Sequence, residues 1–125
     1  MPAPVFDTNI VVDWLKDRPQ AIRELERYPQ HSISRITWME VLAGEPLATR
    51  DDVRDLLSPF DLIEIDGRIA AAAADIRYRT RMKLLDATIL ATAQTQGGIL
   101  ITRNTKDFPA TMPGVRVPYT LSESV

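Results

Sequence analysis

Pro4-Val5-Phe6-Asp7-Thr8-Asn9-Ile10-Val11-Val12-Asp13-Trp14-Leu15-Lys16 is the stretch on which the fold turns. Its opening reads as a short buried strand, Ala3 to Asp7. From Asn9 to Lys16 the pairs Ile10/Trp14 and Val11/Leu15 recur at helical spacing, so the strand passes directly into a helix with an acid at the junction. The same alternation continues outward. Pro19 suits the first position of a helix over Gln20 to Tyr28, which Pro29 ends. His31 to Ser34 reads as a strand, and a helix runs from about Trp38 to Gly44. Thr49-Arg50-Asp51-Asp52 resembles a capped start of a helix reaching Leu57. Asp61 to Ile65 is β-compatible, and Asp66-Gly67 caps a long helix through Arg81 whose Ala70 to Ala74 run lets another element approach closely. A last helix, Asp86 to Gln96, stops at Gly97-Gly98, and Gly98 to Thr102 and Val115 to Val117 complete the strands. Strands alternating with helices predict an α/β sandwich with a mainly parallel sheet.

Composition narrows the function. At 125 residues with 45% hydrophobic content, the chain 1–125 suits one domain with one core. Cysteine is absent, which excludes disulfides, thiolate nucleophiles and sulfur-based zinc sites. A net charge of -2 argues against a surface that is basic throughout, while leaving room for a local cationic patch. The N-terminus lacks a positive leader region, and Ile10-Val11-Val12 is short for a signal peptide's core. No run approaches the roughly 20 apolar residues of a membrane span. A soluble cytoplasmic protein is the expectation.

Four acids occupy unlike settings: Asp7 after the first strand, Glu40 within Thr37-Trp38-Met39-Glu40-Val41-Leu42, Asp86 opening Asp86-Ala87-Thr88-Ile89-Leu90-Ala91, and Asp107 in Thr102-Arg103-Asn104-Thr105-Lys106-Asp107-Phe108. Each has a bland reading. Asp7 suits a helix N-terminus, Glu40 would complete a capping box with Thr37, and Asp86 would be an N-cap. Topology points elsewhere. In parallel sheets ligands bind beyond the carboxyl ends of the strands. Asp7 and the loop from Thr102 to Asp107 both follow strands, and right-handed crossovers bring the starts of the helices holding Glu40 and Asp86 to the same edge. Acids in apolar surroundings are costly unless paired or metal-bound. Four together, without histidine or cysteine, suit a hard divalent cation and metal-dependent cleavage of phosphodiesters.

Taken in register, Asp7-Thr8-Asn9, Glu40 on a short apolar helix, Asp86-Ala87-x-Ile89-x-Ala91-x-Ala93 and Thr102-x-Asn104-x-x-Asp107-Phe108 resemble the PIN-domain ribonucleases, most of all the VapC-type toxins of toxin-antitoxin pairs. The likeness spans essentially the whole chain. It implies a PIN-like α/β/α sandwich and an endoribonuclease using Mg2+ or Mn2+. Asp7, Glu40, Asp86 and Asp107 would be the catalytic and metal-binding acids, with Asp107 at the family's least uniform position. Asn9, Thr102 and Asn104 are suited to orienting carboxylates, water or phosphate, and Thr8 reads as a supporting hydroxyl. The likeness further implies RNA cut to leave a 5'-phosphate and a 3'-hydroxyl, arrest of translation, a cognate VapB-type antitoxin, a homodimer, and contact with DNA only through the antitoxin.

Cations offer RNA contacts. Arg77, Arg79, Arg81 and Lys83 precede Asp86, with Arg77 and Arg81 on one helical face. They suit RNA phosphates, or equally the negative end of a helix macrodipole. Arg103 and Lys106 lie in the proposed active-site loop, where substrate contact is the stronger reading. Trp14, Trp38 and Tyr78 are candidates for base stacking, with core packing the better reading for the tryptophans. His31, the only histidine, lacks the second histidine of a metal site. Two rival functions remain: a non-catalytic PIN-fold module binding RNA or protein, and a metal-dependent nuclease or phosphatase with a non-RNA substrate.

Overall fold

The computed structural model describes residues 3–121. Among these residues the strands β1 (Val5–Phe6), β2 (Ser32–Ser34), β3 (Asp61–Ile63), β4 (Leu100–Ile101) and β5 (Val115–Arg116) form one sheet in the order β3-β2-β1-β4-β5. Every pairing is parallel. The helices are α1 (Thr8–Leu15), α2 (Pro19–Glu26), α3 (Arg35–Ala43), α4 (Leu47–Leu57), α5 (Gly67–Thr80) and α6 (Leu84–Thr95). The sheet is therefore wholly parallel where a mainly parallel one was expected, and the α/β/α sandwich stands.

Successive side chains of a strand point to opposite faces, and β1 divides the core accordingly. Phe6 joins Ile10 and Val11 of α1, Leu25 of α2 and Leu57 of α4 on one face, while Val5 meets Ile89, Leu90 and Ala93 of α6 on the other. The small residues of α5 do what their size suggests: Ala73 lies against Ala91 of α6, beside Ile69. Because the sheet is parallel, its carboxyl ends share one edge. Register then places Asp7 beside Thr102, since Phe6 pairs with Ile101 and the Asp7 amide donates to the Ile101 carbonyl at 2.8 Å.

Three helix starts differ from expectation for local reasons. Ser34 caps α3 by accepting from the Ile36 amide at 3.0 Å, so the helix begins at Arg35 instead of Trp38. Glu40 consequently falls in its second half, where no capping box with Thr37 can form. Pro46, with φ of -58°, sets the start of α4 at Leu47, and the Thr49 hydroxyl bonds back to Glu45 at 2.6 Å instead of capping. Lys83 takes the cap position of α6, leaving Asp86 in its first turn. Asp66 caps α5 as anticipated, accepting from the Ile69 amide at 2.9 Å, and the helix ends with Arg81 left-handed at φ 63°.

Candidate active site

Asp7 is held at the end of β1 by the helix it caps and by the neighbouring strand. Its Oδ1 accepts from the Thr8 amide at 2.8 Å, and its Oδ2 accepts from the Thr102 hydroxyl at 2.7 Å and from Asn9 Nδ2 at 3.4 Å. It is 4% exposed. Burial pushes its carboxyl above the usual range, the bonds from Thr102 and Thr8 oppose that, and the charges of Glu40 and Asp107 reinforce it.

Glu40 reaches the same edge from α3 and is exposed. Thr8 Oγ1 donates to its Oε1 at 2.6 Å and lies 3.0 Å from the hydroxyl of fully buried Thr37. Thr8 thus acts as the supporting hydroxyl expected of it, linking α1 to α3. Asp86 enters from the first turn of α6. Its carboxyl is pushed up to about 6, first by burial and then by the charges of Asp107, Asp7 and Glu40, with a hydrogen bond shared with Asp107 adding to the effect. The loop after β4 supplies Asp107. There Asn104 Nδ2 donates to Asp107 Oδ2 at 2.9 Å while the Asp107 amide donates to Asn104 Oδ1 at 3.3 Å, a reciprocal clasp. Fully buried Phe108 anchors the end of the loop in the core.

The charges of Glu40 and Asp107 therefore bear on Asp7 and Asp86, and three of the four acids, Asp7, Glu40 and Asp86, line an open cleft of about 340 Å3 together with Thr8, Asn9, Arg103 and Asn104. Among the described residues none of the four takes part in a salt bridge. Uncompensated negative charge, presented only by oxygen donors, is chemistry that fits Mg2+ or Mn2+. Among the described residues, no three acidic or histidine side chains stand ready as ligands of a single ion, and Mg2+ commonly takes only one or two carboxylates, filling its other positions with water.

The cations sort themselves by partner. Arg77 caps the end of α5, donating to the carbonyls of Arg81 at 2.7 Å and Met82 at 3.1 Å, and Arg79 pairs with Asp75 at 3.2 Å. Arg103 does not extend from its loop as a free cation. Its guanidinium grips Asp13 of α1 through Nε at 2.6 Å and Nη2 at 3.0 Å. Arg81, Lys83 and Lys106 are exposed. Trp14 packs edge-on against Phe60 at 5.4 Å, Trp38 lies under Arg35 at 4.6 Å, and Tyr78 is 88% exposed. His31 is bonded to the Leu25 carbonyl at 2.6 Å and lies beside Phe6 and Phe60.

Residues 5–111 match the PIN domain family. The chain belongs to that family. This PIN domain is 26% identical over 116 residues to the "tRNA(fMet)-specific endonuclease VapC" of Shigella flexneri, an alignment covering 83% of this chain and 88% of that one. Its structure is similar to a chain of the toxin-antitoxin complex from Klebsiella pneumoniae, with a TM-score of 0.88 and 45% identity over 95% of this chain and all (100%) of the other. DNA-bound VapBC from Salmonella typhimurium contains another similar chain, with a TM-score of 0.75 and 27% identity over 93% and 96% of the two chains.

Two buried acids of this PIN domain escaped sequence reasoning: Glu24, which Arg116 holds through two hydrogen bonds, and Asp13. Asp13 is 1% exposed and accepts from Tyr119 Oη at 2.7 Å as well as from Arg103. A signal was available: Asp13 follows buried Ile10 by one helical turn, which puts an acid on the apolar face of α1 and demands a partner.

Proposed function

We propose that this PIN domain is a metal-dependent endoribonuclease and the toxin of a type II toxin-antitoxin pair, halting translation by cutting RNA. The observation that carries the proposal is the set of four mutually repelling carboxylates at the carboxyl edge of the sheet, expressed most clearly in the raised Asp86 carboxyl. Asp7, Glu40, Asp86 and Asp107 would hold Mg2+ or Mn2+. When bound, the cation supplies Lewis acidity, activating water as a nucleophile and offsetting charge on the phosphate. Thr8 and Thr102 keep Glu40 and Asp7 in place through their hydroxyls. Asn104 does the same for Asp107, and Asn9 Nδ2 reaches both Asp7 and Thr102, each at 3.4 Å. The openness of the cleft suits a polymer backbone, and the exposed Lys83 and Lys106 near Asp86 and Asp107 suit its phosphates.

The partner is a VapB-type antitoxin. An apolar groove of about 380 Å3, lined by Val12, Leu15, Val41, Val53 and Leu56, shares Glu40 with the acidic cleft, so an antitoxin segment lying in it leads to the carboxylates. An arginine at its end would match their charge. The protein works in the cytoplasm as a homodimer and meets operator DNA only through the antitoxin. Among the described residues no helix is long and apolar enough to cross a membrane.

The substrate assignment is tested by competition. With Mg2+ or Mn2+, purified protein should cut tRNA within a pool of structured RNAs, while equimolar DNA and a phosphomonoester leave the rate unchanged and remain intact. Preferential hydrolysis of either competitor would reject RNA as the substrate class.

A further inference from the structure

We propose that Asp13 is a positioning residue for the fourth acid: by gripping Arg103 it fixes the loop that presents Asp107, and Tyr119 makes that grip depend on the segment after β5. The inference rests on the reading that the four acids hold a divalent cation.

Asp13 is no fifth ligand. A carboxylate offers about four lone-pair directions. Hydrogen bonds take three of them, Oδ1 accepting from Arg103 Nη2 at 3.0 Å and Oδ2 from Arg103 Nε at 2.6 Å and Tyr119 Oη at 2.7 Å, and Arg18 Nε adds a cation 3.3 Å from Oδ1. The consequence lies in what flanks Arg103. On one side Thr102 donates to Asp7, and on the other Asn104 clasps Asp107. The Arg103 amide itself donates to Asn9 Oδ1 at 3.2 Å, and the Asn104 amide to the Thr102 hydroxyl at 3.0 Å. Thr102 and Asn9 tie the start of the loop and buried Phe108 its end, so what remains to be set is the orientation of the stretch between them, which carries Asn104 and Asp107. A planar, bidentate guanidinium on a buried carboxylate of α1 adds an anchor with fixed orientation. Tyr119 shares that carboxylate from a segment without regular secondary structure, so the C-terminal segment and the acidic loop meet at one side chain.

The test compares full-length wild type, Asp13→Asn and Tyr119→Phe by Mn2+ titration calorimetry well below the unfolding temperature, and by hydrogen exchange over residues 102–108. Leu57→Ala, buried at the end of α4, controls for lost stability alone. Asp13→Asn should bind Mn2+ about 10-fold more weakly, the scale on which supports of metal ligands act. Tyr119→Phe should lose less, and in both variants the amides of 102–108 should exchange faster. Leu57→Ala should melt earlier yet bind Mn2+ as wild type does. Wild-type affinity in folded Asp13→Asn overturns the proposal whatever its exchange, as does equal weakening in Leu57→Ala. Should Asp13→Asn fail to fold, Tyr119→Phe decides alone. Wild type that binds no Mn2+ overturns the cation reading itself, and this proposal with it, whereas wild-type binding that Asp13→Asn leaves unchanged overturns only the positioning role.

Discussion

Asp7 is the residue at which stability and function oppose each other most directly. Its burial and the charges of Glu40 and Asp107 disfavour the ionised form, while ionisation is the form a cation requires. Asp7→Asn keeps an oxygen for the Thr8 amide and removes the charge, while giving up the oxygen that accepts from Thr102 and Asn9, a loss that offsets part of the relief. It should raise the stability of the metal-free protein by on the order of 1 kcal/mol, a few degrees in Tm, while abolishing cleavage. A lower melting temperature in calorimetry would contradict this account of the site's repulsion. Asp86 carries a pH signature. Its folded carboxyl near pH 6 exceeds the ordinary 3.8, so between those values the folded state holds a proton that the unfolded state has released. Stability from this group is present at low pH and falls as pH rises through that window. Asp13 and Glu24, both held below the usual range by arginine and tyrosine partners despite burial, act in the opposite direction. The readable quantity is therefore a difference: in EDTA, Asp86→Asn should match wild type near pH 4 and become progressively more stable than it toward pH 6 and above. Denaturant melts across that range, with a gap that stays constant, would refute the raised carboxyl.

Among the elements, α5 and α6 make the sharpest predictions. Arg81 ends α5 in a left-handed conformation that costs a non-glycine residue about 1 kcal/mol. Arg81→Gly should recover roughly that amount, and a melt showing no gain would place the strain elsewhere. Ala91 is fully buried where α6 meets Ala73 of α5, so Ala91→Leu should overpack the contact and destabilise by about 1–3 kcal/mol. A neutral effect in urea titration would mean that the helices separate without cost. The Ala70 to Ala74 run made this close approach legible from sequence alone. Glu40 was legible as an acid but misplaced along its helix, because Ser34 serves at once as the last residue of β2 and the cap of α3. Asp7 and the Thr102 to Asp107 loop were readable because each follows an apolar strand without delay. The Asp13 pairing was out of reach: Arg103 and Tyr119 lie 90 and 106 residues along the chain, and no local pattern encodes that distance.

On the scale of the molecule, a wholly parallel sheet gathers its strand ends at one edge, so residues as far apart in sequence as Asp7 and Thr102 become hydrogen-bonded neighbours. The overall charge of -2 leaves RNA attraction to local cations. Arg77 bonds to carbonyls at the exposed end of α5 and Arg103 is bound to buried Asp13, whereas Lys106 is exposed beside the fourth acid. Lys106→Ala should therefore weaken RNA binding and reduce its salt slope by about 1, whereas Arg77→Ala should leave that slope unchanged. Filter binding across a salt series separates the two, and equal slopes for Lys106→Ala and wild type would remove Lys106 from the RNA path. The central claim, that the four acids form a cation-dependent ribonuclease site, is tested most directly by exposing total cellular RNA to purified, antitoxin-free protein with Mg2+ or Mn2+ and sequencing the product ends. The account predicts discrete cuts leaving 5'-phosphates, lost both in EDTA and in folded Asp7→Asn. Intact RNA with folded, metal-supplied wild type, or cuts that persist in Asp7→Asn, would contradict it.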